Sequence, residues 1–321
     1  MIWGNHVMVR INSVDDFFKK IIEEVNMEIE NSIKDPVIKS VLDGGKRLRP
    51  MLMLLSYHAC NGNEKNDGNY KRVLEGAVSI ELAHNASLVH DDIIDEDTER
   101  RGKPALHVSN GVNTALLLGH KMIAAGFGIA LSHGPDIARV YVDTWNEALS
   151  GEILEVKMNN NGKEEYSKEN LLNMYYRIIN QKTASLFASA CMSGALEAKA
   201  SWDIAKMLGE YGREIGMAYQ LADDLVDLEN GERLDSVIKP LLKMIGNNNG
   251  RFTNFLLRRK LVKNTPKIKE IYLSKIKEHV QRAEEIIRRD DLIPGSLYKK
   301  LLVEAPRYIV NRMLREINIS I

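Results

Sequence analysis

The chain carries the acidic signature Asp-Asp-x-x-Asp twice, at residues 91–95 and 223–227. An α-helix turns about 100° per residue, so the first, second and fifth positions of each copy share a narrow arc on one face. Apolar residues surround both copies, and carboxylates crowded there repel one another and lose hydration unless cations neutralise them. Mg²⁺ accepts oxygen ligands, keeps several waters and takes its remaining ligands from substrate phosphates. The two copies therefore predict a diphosphate site with the candidate metal ligands Asp91, Asp92, Asp95, Asp223, Asp224 and Asp227.

A single copy of this motif has simpler explanations. It is more often a solvated helix face or an acidic first turn near a helix N-terminus. Two copies, each predicted to lie mid-helix among apolar residues, argue against both explanations. A calcium-binding loop starting at Asp95 is excluded, because Arg100 stands where Gly is needed and Leu106 stands where Glu is needed.

Basic residues accompany the acidic motifs. The stretch 44–50 places three cations between a glycine pair and a helix whose first turn accepts Pro50. Backbone amides and cations at such a helix start bind anions. Arg100-Arg101-Gly102 follows the first acidic motif, and Lys182-Thr183 precedes an apolar stretch. Each signal alone also fits an ordinary basic helix start, so only their combination is informative.

The order of these motifs resembles that of the trans-isoprenyl diphosphate synthases, also called polyprenyl synthetases. Gly-Lys-x-x-Arg begins at Gly45, and Asp-Asp-x-x-Asp, Arg-Arg-Gly and Lys-Thr follow it in that order. The series ends with Gln-x-x-Asp-Asp-x-x-Asp, which begins at Gln220. Residues 81–92 look like the first aspartate-rich helix of that family. The resemblance covers nearly the whole chain, from Gly44 to Asp224, and extends less clearly to the C-terminus.

The resemblance implies an all-α fold of the isoprenoid synthase type. Residues 1–321 would form a single domain, an antiparallel helical bundle around a central cavity, with the two aspartate motifs facing each other at its mouth. The resemblance also implies Mg²⁺, with three ions when substrate is bound, and a homodimer. The expected substrates are an allylic diphosphate and isopentenyl diphosphate.

The resemblance assigns roles to further residues one by one. Five of the aspartates would hold Mg²⁺ on the allylic diphosphate, namely Asp91, Asp92, Asp95, Asp223 and Asp224, with Asp227 nearby or outside direct coordination. Arg100, Lys182 and Gln220 would hold the same diphosphate, and Thr183 would line the reaction centre. Oxygen atoms of Lys182, Thr183 and Gln220 would also stabilise the carbocation. The diphosphate of isopentenyl diphosphate would bind four residues: Lys46, Arg49, His84 and Arg101.

The implied reaction is ionisation, condensation and elimination. Loss of diphosphate leaves an allylic cation, the double bond of isopentenyl diphosphate attacks it, and the departing diphosphate accepts the released proton. Two alternatives stay open. A terpene cyclase on the same fold would not use isopentenyl diphosphate, and the second acidic motif with Gly-Lys-x-x-Arg argues against it. A regulatory subunit of a heteromeric prenyl synthase is the other alternative.

Two stretches depart from the family pattern. After Asp227 the family usually continues with a Gly-Lys pair, an Asp and Gly-Lys-x-Thr, where this chain has only Lys239, and Arg233 at most, to supply positive charge. We therefore assign Lys239 to substrate binding. A Gly-Asp pair common after the first motif is Gly119-His120 here. These differences bear on substrate affinity and loop closure more than on reaction type.

Small residues precede the first aspartate motif. Ser87 and Ala86 lie four and five residues before Asp91, and Ala83 lies one further turn away. Relatives that stop at short products tend to have a bulky aromatic residue at one of these positions. The sequence therefore favours a C25 or longer product, with C20 also possible. Small residues also allow close helix packing, and the next helix could supply a floor through Leu116, Leu117 or Met122.

Composition excludes several classes of protein. Lys plus Arg equals Asp plus Glu, at 44 each in 321 residues, so we expect no nucleic-acid partner. The two cysteines, Cys60 and Cys191, lie in apolar surroundings and indicate a reduced, cytoplasmic protein. The apolar stretch 115–131 is interrupted by His120 and Lys121, so we expect no membrane span.

Helical periodicity extends over the chain, and no sustained alternation indicates a sheet. Ser13 is a predicted N-cap for a helix that ends near Ile33, before Pro36. The further helices are predicted at about 47–60, 70–96, 110–131, 136–158, 168–197, 201–229, 237–246, 251–263, 267–289 and 295–318.

Overall fold

The computed structural model describes residues 11–62, 68–160, 168–230 and 254–321, without the side chains of 159–160, 168–171 and 254–265. These residues form two compact units. Unit 1 contains the chain up to Tyr141 with Ala190–Ala205 and Leu292–Glu304. Unit 2 contains Val142–Ser189, Lys206–Asp291 and Ala305–Ile321. The single-domain prediction for residues 1–321 stays a prediction.

The all-α prediction is confirmed, since helices dominate the described residues and the strands form only a short hairpin. The elements in chain order are α1 (Val14–Ser32), α2 (Pro36–Leu42), α3 (Leu48–Ala59), α4 (Gly68–Ile94), β1 (Glu99–Arg100), β2 (Lys103–Pro104), α5 (Leu106–Asn110), α6 (Val112–Ser132), α7 (Pro135–Asn160), α8 (Lys168–Ile179), a π-helical turn (Asn180–Ala184), α9 (Ser185–Glu197), α10 (Trp202–Asn230), α11 (Asn254–Arg289), α12 (Leu297–Leu314) and a 3₁₀ turn (Arg315–Ile317).

Local chemistry determines where the first helices begin. The Ser13 hydroxyl accepts a hydrogen bond from the Asp16 amide at 3.1 Å, as the N-cap prediction requires. Asp35 caps α2 by accepting from the Val37 amide at 3.0 Å, and Pro36 occupies the first turn of α2. Pro36 had been interpreted only as a helix end, so α2 was not predicted.

In unit 1 the core forms around α3. All residues of α3 are buried, and α4 and α1 pack against it. A helix that is buried on every side belongs to a core rather than to a surface. The start of α3 therefore places the basic Gly44–Pro50 segment at the edge of a rigid element.

The hairpin β1–β2 was not predicted. Its turn residues, Arg101 and Gly102, have φ values of 55° and 72°. A two-residue turn with positive φ at both positions matches the right-handed twist of the flanking strands. The hairpin fixes the directions in which the arginines of the Arg-Arg-Gly motif extend.

In unit 2 the core is formed by α10 and α11. Leu221 and Leu225 of α10 pack in one buried cluster with Ile268, Tyr272 and Ile276 of α11. The predicted boundary between helices at 251–263 and 267–289 is wrong, because α11 continues through Pro266. A proline inside a helix removes one backbone hydrogen bond and does not always end the helix. The predicted helix 237–246 lies outside the described residues.

Candidate active site

The first aspartate motif lies at the C-terminal end of α4 in unit 1. Asp91 and Asp92 are buried in its last turn, and Asp95 follows the helix, with its amide donating to the Asp91 carbonyl at 2.8 Å. The expectation of a mid-helix position was wrong for this copy. The C-terminal end of a helix carries partial negative charge, which disfavours carboxylates there. This location therefore increases the demand for a cation.

Arg100 supplies part of the positive charge that the first motif needs. Its Nε donates to Oδ1 of Asp92 at 2.8 Å, and its guanidinium also ion-pairs with Asp97. Arg101, the next residue, extends toward the loop before α3, where it donates to the Asp43 carbonyl at 2.8 Å and to Oδ1 of Asn85 at 3.1 Å. The hairpin thus connects the first aspartate motif with the basic loop.

Arg47 is a functional candidate that sequence reasoning missed. It is buried, has a φ of 52°, forms an ion pair with the buried Glu81 and donates to Asn26 at 3.1 Å. An unpaired buried charge is costly, so this pair fixes the chain between Lys46 and Arg49. The only sequence signal was the presence of Arg47 inside the basic run.

The pKa of His84 reflects the positive charge around the basic loop and the hairpin. Burial and then nearby positive charge lower the pKa of His84 well below its usual value of 6.5. The charges come from the guanidinium groups of Arg49, Arg101, Arg100 and Arg47. A neutral histidine surrounded by this much positive charge is the environment expected for a bound anion. The structure therefore brings together four of the predicted substrate-binding residues: Arg49, His84, Arg100 and Arg101.

The second aspartate motif lies within α10 in unit 2, mid-helix as predicted. Asp224 is buried, and its two oxygens accept hydrogen bonds from Gln220 Nε2 at 2.9 Å and from the Tyr175 hydroxyl. The Tyr175 hydroxyl is also 3.1 Å from that of Tyr272. Burial raises the pKa of Asp224 to about 7, although the hydrogen bonds from Tyr175 and Gln220 oppose that shift. Neither tyrosine was predicted as a site residue.

Lys182 and Thr183 lie in the π-helical turn between α8 and α9. Nζ of Lys182 is 2.6 Å from Glu152 and 2.7 Å from Glu155, both on α7. The Thr183 hydroxyl donates to Oε1 of Gln220 at 2.9 Å. Two of the three predicted catalytic residues, Thr183 and Gln220, are therefore connected to Asp224 by continuous hydrogen bonds, whereas Lys182 bonds to the two glutamates of α7. Glu152 and Glu155 were not predicted.

The chain-length positions differ in burial. Ala86 is completely buried, Ala83 is 4% exposed, and Ser87 is partly exposed, with its hydroxyl donating to the His84 carbonyl. On α6, Met122 is completely buried, whereas Leu116 and Leu117 are 41% and 66% exposed. Met122 is thus the inward-facing member of the three residues considered as an alternative floor.

The donor set of both motifs fits Mg²⁺. Every candidate ligand is a carboxylate. Asp91, Asp92 and Asp224 are buried, where a positive charge that neutralises the carboxylate is favourable. Among the described residues, no three His, Cys, Asp or Glu side chains are already gathered as a metal cage. Mg²⁺ is usually bound by one or two carboxylates together with water and substrate phosphates, so no such cage is required. Lys239 and Arg233 lie outside the described residues.

Comparison with known proteins decides the family. A model of the polyprenyl synthetase family matches residues 30–288. The chain belongs to the polyprenyl synthetase family. It is 29% identical over 262 residues to geranylfarnesyl diphosphate synthase of Methanosarcina mazei, covering 79% of this chain and 80% of that protein. It is also 29% identical over 309 residues to heptaprenyl diphosphate synthase component 2 of Bacillus subtilis, covering 92% and 82%.

A solved structure agrees with this placement. Geranylgeranyl pyrophosphate synthetase from the archaeon Geoglobus acetivorans superimposes with a TM-score of 0.74 and 26% identity, covering 92% of this chain and all of that one. The isoprenoid synthase fold expected from the motif order is therefore confirmed. As a member of the polyprenyl synthetase family, the chain is a prenyltransferase that acts on prenyl diphosphates.

Proposed function

We propose that this polyprenyl synthetase condenses an allylic diphosphate with isopentenyl diphosphate, in a Mg²⁺-dependent reaction, to make a linear polyprenyl diphosphate. The observation that carries the proposal is the environment of His84, where burial and the charges of four arginines hold its pKa well below its usual value. Such a concentration of cations would bind a diphosphate. The Asp-Asp-x-x-Asp motif that follows on the same helix has the oxygen donors to hold Mg²⁺ on a second diphosphate.

The chain's own residues then have distinct tasks. Lys46, Arg49, His84 and Arg101 hold the diphosphate of isopentenyl diphosphate, whereas Arg100, Lys182 and Gln220 hold that of the allylic substrate. His84 donates a hydrogen bond without adding a charge. Asp91, Asp92, Asp95, Asp223 and Asp224 would hold the Mg²⁺ ions, three with substrate bound, with Asp227 beside them, and bound Mg²⁺ supplies positive charge to the leaving diphosphate. Lys239 is assigned to the diphosphates from the sequence alone.

The reaction balances without a protein base. The allylic C–O bond breaks, and the electron pair of the isopentenyl double bond forms the new C–C bond. A proton then leaves the isopentenyl carbon for the departed diphosphate. Thr183 donates to Gln220 and keeps lone pairs that stabilise the transient positive charge. Cations placed where negative charge develops on the leaving group lower the barrier.

Purified chain, Mg²⁺, isopentenyl diphosphate and an allylic primer test the proposal. We expect elongated products, none with a chelator present, and turnover about 10²–10³-fold lower in Asp91→Ala and Asp223→Ala. Asp203→Ala is the matched control, because Asp203 is exposed at the start of the helix that carries Asp223. Near-normal turnover in both motif variants would refute the metal assignment.

The same assay separates the alternatives. Cyclic products formed without isopentenyl diphosphate would indicate a terpene cyclase. No product from this chain alone, with activity restored by a second protein, would indicate a subunit of a heteromeric synthase. The Bacillus subtilis relative is itself named as component 2 of heptaprenyl diphosphate synthase. The complete pair of aspartate motifs favours an active subunit over a silent one.

The expected product is C25 or longer, with C20 possible. Support comes from the small residues Ala83, Ala86 and Ser87 on α4, since a bulky side chain there would limit the hydrocarbon tail. Three relatives are named for geranylgeranyl, geranylfarnesyl and heptaprenyl diphosphates, which lie at or above C20, whereas others are named short chain isoprenyl diphosphate synthases. Chromatography of dephosphorylated products gives the length directly.

We also propose a homodimer formed through α6. Among the described helices, α6 is the one that is long and apolar enough to cross a membrane. Only 28% of its apolar 18-residue window is buried. Its exposed apolar side chains, which a second copy would cover, are Val112, Leu116, Leu117, Phe127 and Leu131. Sedimentation equilibrium should show a dimer that Leu117→Glu dissociates. A wild-type monomer would refute the proposal.

A further inference from the structure

The helix that carries Lys182 and Thr183 is interrupted where these residues lie. In a regular α-helix the Asn180 carbonyl would accept from the amide four residues later, but here it accepts from the amide of Ser185, five residues later. A π-helical turn is rare in proteins and occurs frequently at functional sites. Something outside the turn must therefore stabilise it.

Arg213 of α10 makes the contacts that can do this. Its Nη1 donates to the Asn180 carbonyl at 3.3 Å and to the Asn180 side-chain oxygen at 3.1 Å. Glu147 of α7 holds the guanidinium from the other side, with a bond of 2.7 Å to Nη1 and one of 3.0 Å to Nη2. Bidentate pairing of this kind fixes the orientation of the guanidinium plane. All three residues lie in unit 2.

The neighbouring helices approach the turn closely at two glycines. A Cβ on Gly151 of α7 would lie 2.7 Å from the Lys182 amide nitrogen, and a Cβ on Gly216 of α10 would lie 2.6 Å from the Ala184 Cα. Both distances are shorter than a carbon side chain tolerates. The turn is therefore enclosed between α7 and α10, and Arg213 bonds to its first residue.

We propose that Arg213, oriented by Glu147, is a positioning residue that holds the π-helical turn and so sets the directions of Lys182 and Thr183. If the turn relaxed to a regular α-helix, the register would change by one residue and rotate these side chains by about 100°. Thr183 would then lose its bond to Gln220. The catalytic consequence depends on the proposed prenyltransferase reaction, whereas the structural consequence does not.

Arg213→Met tests both consequences. Amide hydrogen exchange over residues 181–185 should accelerate about tenfold or more without substrate. The kcat should fall about 10–100-fold while the KM for isopentenyl diphosphate changes less than about threefold, because its proposed ligands lie on other elements. Arg213→Lys keeps the charge without the bidentate geometry and should restore activity only in part.

Arg307→Met is the matched control. Arg307 also lies in unit 2 and pairs with a glutamate of another helix, Glu284, at 3.1 Å, but it does not bond to the turn. It should leave exchange over 181–185 and kcat unchanged. If Arg213→Met fails to fold, Asn180→Leu replaces it, because that variant removes one bond to Arg213 and leaves the pair with Glu147.

The outcomes are distinguishable. Unchanged exchange over 181–185 in a folded Arg213 variant overturns the proposal, and so does an equal effect of Arg307→Met. A kcat loss accompanied by an equal rise of the KM for isopentenyl diphosphate also overturns it. If the wild type makes no product, the proposed function fails, and the exchange experiment alone then decides the role of Arg213.

Discussion

A phenylalanine at Ser87 should shorten the product of this enzyme. Helical rise is about 1.5 Å per residue, so Ser87, Ala86 and Ala83 lie about 6, 7.5 and 12 Å along α4 from Asp91. Of these three, Ser87 retains a partly exposed side chain, whereas Ala86 is completely buried and Ala83 is 4% exposed. A group that lines a passage for a hydrocarbon tail must keep accessible surface. Ser87 is therefore the best-placed of the three to limit chain length.

The expected size of the effect follows from the same distances. Each added C5 unit needs roughly one helical turn of depth, about 5.4 Å, so a phenylalanine one turn from Asp91 leaves room for about one unit. Ser87→Phe should thus move the product from C25 or longer to C15 or shorter. The Ser87→Phe variant should also lose about 1 kcal/mol of folding stability, because it lacks the hydrogen bond from the Ser87 hydroxyl to the His84 carbonyl. Ala86→Phe overpacks a completely buried site and should cost about 1–3 kcal/mol or more.

Product chromatography and thermal unfolding should be measured on the same preparations. Leu88→Phe is the matched control, because Leu88 is also partly exposed and lies about 100° around the helix from Ser87. It should leave product length unchanged. An unaltered product distribution in a folded Ser87→Phe enzyme, or shortening by the control, would refute the assignment of this face to the hydrocarbon passage.

Three further expectations concern other parts of the molecule. Truncating Lys46 or Arg49 should raise the KM for isopentenyl diphosphate far more than that for the primer; equal increases would contradict our division of the basic residues. Burial opposes protonation of His133, but Glu197 and Glu75 outweigh burial and raise its pKa. The stabilisation that protonated His133 contributes should be fully present below pH 6.5 and be lost as the pH rises through the raised pKa, as urea unfolding at several pH values would show. His133→Gln should lack this pH dependence. Burial raises the pKa of Cys191 to about 12, so iodoacetamide at pH 8 should label it only after unfolding.

Sequence reasoning predicted the elements of this chain more reliably than their junctions. Hydrophobic periodicity located α3, α4, α6, α7 and α10 within a few residues. It missed α2 and α5, which have 7 and 5 residues and are too short to show a period. It divided α11 at Pro266, because a proline is a helix end in most contexts and its tolerance depends on packing.

For the candidate site, sequence reasoning located groups whose chemistry is local. Asp-Asp-x-x-Asp can be recognised in the sequence, because helical geometry alone places its carboxylates together. The partners of these groups are distant in sequence. Tyr175 and Asp224 are 49 residues apart, and Glu147 and Arg213 are 66 apart. Tyrosine, glutamate and arginine at such separations are ordinary surface and core residues until the fold brings them together.

Two of the predicted substrate-binding cations already have carboxylate partners in this structure. Arg100 pairs with Asp92, and Nζ of Lys182 lies 2.7 Å from Glu155. Such pairs orient the cations and avoid the large cost of a buried unpaired charge. In the proposed function, a diphosphate that binds either cation would therefore replace an existing ion pair instead of binding to uncompensated charge. Because a ligand with less negative charge gains less electrostatic energy from the same exchange, these pairs favour a diphosphate over a weaker anion. If the allylic diphosphate binds Arg100 as proposed, Asp92 would lose that partner and become available to a metal ion, so binding of the diphosphate would be coupled to binding of the cation.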